Sequence, residues 1–112
     1  MQTTTPPSAF PPVPTSKILA IGTVAAPLTP EQRNTIMTRE VPATARLYLA
    51  GKIDQWYFRQ DHKGVVFLLN LDSIYEAHEM LEQLPLGQAH LMTFELIPLG
   101  PLSPLYLLLD PH

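Results

Sequence analysis

Ile53-Asp-Gln-Trp-Tyr-Phe-Arg-Gln60, Asp61-His-Lys-Gly64 and Val65-Val-Phe-Leu-Leu-Asn-Leu71 follow one another without a break. The first and third stretches are rich in aromatic and β-branched or aliphatic residues, which favour strands. The four residues between them are polar and end in glycine, the chemistry of a tight reversal. The stretch therefore predicts a hairpin over 53–71. Its second arm is almost wholly apolar, which predicts a central strand covered on both faces.

Working outward, Gly51 just before the hairpin suits the end of a helix. Its start is written at Leu28-Thr29-Pro30-Glu31: a capping hydroxyl, a proline at the first helical position and an early acid. Pro42 falls inside this span and predicts a kink or a split, because it lacks a backbone N–H. Further upstream, Lys17–Val24 (KILAIGTV) predicts the first strand. Downstream, Ser73 and Glu76 have the spacing of a capping box, and a second helix is expected from there to about Leu84, ending at Pro85. Leu91–Ile97 predicts a fourth strand. The order β-α-β-β-α-β predicts an α+β, ferredoxin-like fold, with a four-stranded antiparallel sheet and both helices on one face.

The other sheet face would then be bare and apolar, which points to a homodimer or higher even oligomer. Composition agrees: 112 residues make one ordinary domain, and only 15% of them are charged. The net charge of −3, with no basic run, argues against nucleic acid or an anionic membrane as partner. The absence of cysteine excludes disulfides, thiolate metal sites and cysteine nucleophiles, and makes a cytoplasmic setting the expectation. Residues 1–15 read as a disordered Pro-rich arm, 16–100 as the ferredoxin-like domain, and 101–112 as an extension. The apolar run Leu105–Leu109 in that extension is expected to pack on the partner subunit.

The stretch Ser73-Ile-Tyr-Glu-Ala-His78-Glu-Met-Leu-Glu-Gln83-Leu-Pro-Leu86 resembles the second helix of muconolactone isomerases, with a serine start, a histidine followed by an acid, and a closing Gln-Leu-Pro-Leu. Gly51, Trp56-Tyr-Phe-Arg59 and the hairpin resemble the second and third strands of that family, and Phe94-Glu-Leu-Ile-Pro-Leu-Gly100-Pro-Leu-Ser-Pro resembles the ending of its relatives. The resemblance implies a dimeric α+β barrel. The chemistries of that group include isomerases, lyases and cofactor-free oxygenases, so fold does not dictate activity.

Five residues stand out as candidates. On a helical wheel, Ile36, Met37, Thr44, Leu47 and Tyr48 form one stripe of the first helix, with Glu40 in its middle. A carboxyl there would be desolvated, its pKa would rise, and it would suit general base catalysis; a solvent-facing or arginine-paired Glu40 is the plainer alternative. His78 falls at the edge of the apolar stripe of the second helix, made by Ile74, Ala77, Leu81 and Leu84, where it could look into a cleft and carry a proton. Strict alternation in the second strand puts Tyr57 and Arg59 on one side with Ile53 and Gln55, and Trp56 and Phe58 on the other. Arg59 suits a substrate carboxylate or a salt bridge to Asp61 or Glu95, and Tyr57 an enol oxygen. Trp56 is a further substrate-binding candidate, although it and Phe58 read chiefly as packing. His62, His90 and His112 make no HxH or HExxH spacing with His78, and phosphate-loop and nucleophile-elbow motifs are missing. No metal and no cofactor are expected. The chain thus reads as a cofactor-free, isomerase-like enzyme that shifts a proton on a small organic acid, lactone or ketone. The alternatives are a non-catalytic small-molecule-binding or accessory dimer, and a cofactor-free oxygenase.

Overall fold

The computed structural model describes residues 14–102. The Pro-rich stretch 1–13 and the apolar run 105–109 lie outside the described residues. Four strands, β1 (Lys17–Val24), β2 (Ile53–Phe58), β3 (Gly64–Leu69) and β4 (Met92–Leu99), form one antiparallel sheet in the order β2-β3-β1-β4. Helix α1 (Pro30–Leu49) joins β1 to β2. Helix α2 (Ile74–Glu82) and a short α3 (Pro85–Gln88) join β3 to β4. The chain is therefore α+β with an open four-stranded sheet, as expected, plus one additional helical turn.

The ends of α1 follow from local chemistry. The Gln32 N–H donates to Thr29 Oγ1 at 3.1 Å, and the Thr29 N–H donates to Gln32 Oε1 at 3.0 Å, so two free first-turn donors are satisfied reciprocally. At the other end Gly51 takes φ 80°, a left-handed conformation that costs glycine little. Pro42 does not split α1, which runs through all 20 residues. Its missing N–H frees the Thr38 carbonyl, and both residues are exposed, so water can take up that acceptor.

Strand β2 lies at the sheet edge and carries an irregularity between Ile53 and Gln55. Ile53 pairs with Leu69, Gln55 with Leu68, Trp56 with Phe67 and Phe58 with Val65. The extra residue, Asp54, shifts the alternation by one. Ile53, Trp56 and Phe58 consequently share the helix-bearing face, and Gln55 and Tyr57 the opposite one. Strict alternation, which grouped Ile53 with Tyr57, fails here for that reason.

The core lies between the sheet and the helices. Ile18, Ala20, Phe67 and Leu69 from the sheet meet Ala77, Leu81 and Leu84 from the second helical connection, while Ile36, Leu86 and Met92 form an adjoining cluster. Ile74, expected in the buried stripe of α2, is instead exposed. On the far face, Tyr57, Val66 and Ile21 line up in one cross-strand row, and Leu68, Leu19 and Ile97 in the next. None of these six is buried. β3 is thus internal to the sheet, and within a single chain the helices cover one of its two faces. Among the described residues, no helix is long and apolar enough to cross a membrane.

Candidate functional site

A cleft of about 540 Å³ opens between α1 and the β2–β3 side of the sheet. Its floor comes from Val65 and Phe67, its helix wall from Met37, Glu40 and Thr44, and its inner end from Leu86 and Met92. At its mouth Trp56 stacks on Tyr48 of α1, with ring centroids 4.9 Å apart and planes 3° from parallel. This contact fastens the edge strand to the helix. Phe58 and Val41, both strongly exposed, extend the apolar surface outward.

Glu40 is the buried ionisable group of this cleft, only 7% exposed. It sits mid-stripe on α1 because Ile36 and Thr44, one turn to either side, are also buried. The Leu86 N–H donates to Glu40 Oε1 at 2.9 Å, which ties α1 to the first turn of α3. Thr44 Oγ1 lies 2.8 Å from the Glu40 carbonyl oxygen and 3.3 Å from Glu40 Oε2. A hydroxyl has one proton, and the shorter contact directs it to the carbonyl. The contact with Oε2 is the longer, weaker arm of the same shared hydrogen bond, with the hydroxyl as donor. Burial pushes the Glu40 pKa above its ordinary value of 4.5, and the Leu86 N–H and the Thr44 hydroxyl, which favour the charged form, offset this only in part.

This arrangement has a pH signature. The folded protein holds the Glu40 proton to higher pH than the unfolded chain does. Its contribution to stability is complete below the unfolded value and is lost as pH rises through the raised folded value. Glu40→Gln is expected to flatten that decline. The amide keeps an acceptor for Leu86 and gains a fixed donor toward Thr44, so stability near neutrality should be no lower than wild type. Glu40→Ala strands the Leu86 N–H and should cost about 1–3 kcal/mol. Denaturant titrations from weakly acidic to neutral pH measure both, and a Glu40→Ala protein as stable as Glu40→Gln would contradict the tether.

The other candidates are placed unequally. Trp56 faces the cleft. Tyr57 and Arg59 border it at the edge strand, but Tyr57 lies on the opposite sheet face, where its hydroxyl bonds Gln55. The Arg59 guanidinium is committed: it donates to Asp61 Oδ2 at 2.5 Å, to Thr23 Oγ1 at 2.7 Å and to the Gly22 carbonyl at 3.3 Å. The bond from Arg59, with help from the Lys63 N–H, holds the Asp61 carboxyl below its usual range. Of the two salt-bridge partners foreseen for Arg59, it takes Asp61. His78 does not share the cleft with Glu40. It stands on the exposed side of α2, its Nε2 3.6 Å from Glu82 Oε1 one turn on. The reason is positional: α2 packs toward β4 and α3, while the cleft lies under α1. The sequence reading missed Leu86, whose backbone N–H holds Glu40, and Met92 at the inner end of the cleft.

Comparison with known protein families finds no family model that matches the chain, and a search of curated proteins finds no significant relative.

Proposed function

We propose that this cleft binds a small, mostly apolar, oxygenated organic molecule. The observation that carries the reading is an apolar cavity of about 540 Å³ with a single buried carboxyl in its wall, the usual make-up of a small-molecule site. Trp56 is the sole tryptophan of the chain and lines the cleft, so it reports occupancy directly. Titration with small cyclic ketones and lactones is expected to change its emission along a saturating curve. A flat or merely linear response across the whole set would sink the reading.

A second reading is favoured by the raised pKa of Glu40. A carboxyl that titrates above its ordinary range beside an apolar cavity suits proton transfer next to a carbonyl, and a cofactor-free isomerase of the muconolactone isomerase-like kind would use it so. His78 has no place in this version; Glu40 alone would move the proton.

The assembly we propose is a homodimer, or a larger even oligomer, with two open sheet faces packed together as in dimeric α+β barrels. Leu19, Ile21, Val66 and Leu68 are only half-buried, and Tyr57 and Ile97 are exposed beside them, which supports a second copy as their cover. Light scattering at micromolar concentration should give at least twice the chain mass. A monomer mass would count against the packed sheets.

A further inference from the structure

We infer that the cleft selects an uncharged, flat molecule bearing one hydrogen-bond acceptor such as a carbonyl, and rejects carboxylates. This rests on the binding reading above and narrows it to a ligand class.

The charges decide it. Three side chains that carry or can take a charge border the cleft on the helix-bearing side: Glu40, Arg59 and His62. Arg59 is the cation an acidic ligand would need, yet its guanidinium is already held by Asp61, Thr23 and the Gly22 carbonyl, and Asp61 cancels its charge. His62 is an exposed residue of the β2–β3 turn, with φ 61°, away from the inner end. A carboxylate moving inward would lose its hydration among Met37, Val65, Phe67 and Met92 and would meet another carboxyl rather than a cation. A cation fares little better. It would need Glu40 ionised, and the two Glu40 oxygens are already engaged by Leu86 and Thr44.

What the site does offer is a donor and a flat wall. Burial favours the neutral form of Glu40, and because only a long 3.3 Å contact from Thr44 holds its Oε2, the carboxyl can offer its proton to an acceptor in the cleft. Trp56 lines the cleft and, braced by its stack on Tyr48, presents aromatic surface suited to a planar ring.

Three probes on one scaffold test this: naphthyl methyl ketone, naphthoate and naphthylmethylammonium. The readout is NMR titration of the Trp56 indole N–H and the Leu86 amide, which mark the mouth and the inner end of the cleft. The ketone is expected to bind at least about tenfold more tightly than either ion, a difference near 1.4 kcal/mol. Asp61→Asn keeps an acceptor for Arg59 but removes the neutralising charge, and is expected to improve naphthoate affinity by about threefold or more. Naphthoate binding wild type as tightly as the ketone overturns the ligand class while leaving the binding reading intact. So does tightest binding by the ammonium ion, which would make Glu40 a counter-ion. An Asp61→Asn protein with unchanged naphthoate affinity overturns the role given to Arg59. If none of the three probes moves either signal, the binding reading itself falls.

Discussion

Glu40→Gln is expected to slow deuterium exchange at the carbon beside the carbonyl of a bound cyclic ketone by about 10²–10⁴-fold, if the proton-shift reading holds. The substitution is nearly isosteric and keeps the Leu86 hydrogen bond, so the loss would come from the missing base and not from a collapsed cleft. The pH profile supplies a second check. Only the ionised carboxyl is a base, so exchange by wild type should rise as pH climbs through the raised Glu40 value and level off above it. The Glu40→Gln protein should lack that rise. In a pure binding module the protein would not accelerate exchange at all, and the same change would alter ligand affinity by about tenfold at most. Proton NMR in heavy water, with and without the protein, separates the two. Exchange that is accelerated equally by wild type and Glu40→Gln would remove Glu40 from the chemistry.

Gly64→Ala is expected to cost about 3 kcal/mol of stability and to disturb the cleft floor with it. A Cβ at Gly64 would lie 1.9 Å from the Gly22 carbonyl oxygen and 2.8 Å from its carbonyl carbon. Both atoms belong to the backbone of β1, and Gly64 sits opposite Thr23 in the β1–β3 ladder. No side-chain rotation can relieve that contact; the strands must part where the turn feeds β3. Gly51→Ala is the contrasting case. A Cβ there meets no neighbour, but φ 80° strains any side chain, so a loss of about 1–2 kcal/mol is expected. Equilibrium unfolding of both variants measures the difference. A Gly64→Ala protein as stable as wild type would mean that β1 and β3 do not approach as described.

The order of the elements was legible because each boundary carries its own chemistry. Thr29-Pro30 and Gly51 bracket α1, and Asp61 to Gly64 make the reversal between β2 and β3. α3 was not legible, because Pro85 reads equally as the stop of one helix and the first residue of another. Glu40 could be placed on the buried stripe from periodicity alone. Its partner could not, since Leu86 contributes a backbone N–H 46 residues away and no side-chain pattern announces that. His78 misled for a different reason. Position on a helical wheel says that a residue borders an apolar stripe, but not whether a cavity or bulk water lies beyond. The alternation in β2 was misread at one residue, Asp54, so Trp56 and not Tyr57 shares the helix-bearing face with Ile53.

That extra residue also bears on how the chain can change over evolutionary time. Asp54 is spliced into β2 between two correctly paired positions, and its side chain reaches Lys17 at 3.3 Å. Deleting it would leave Ile53 opposite Leu69 and Trp56 opposite Phe67, so the aromatic wall would survive. Losing one residue between Trp56 and Phe58 would instead send the downstream side chains to the opposite face. Descendants of a common ancestor should therefore differ in length at Asp54 and hold their length beyond it, and a gap placed anywhere else in the strand would align a wall residue with one from the open face.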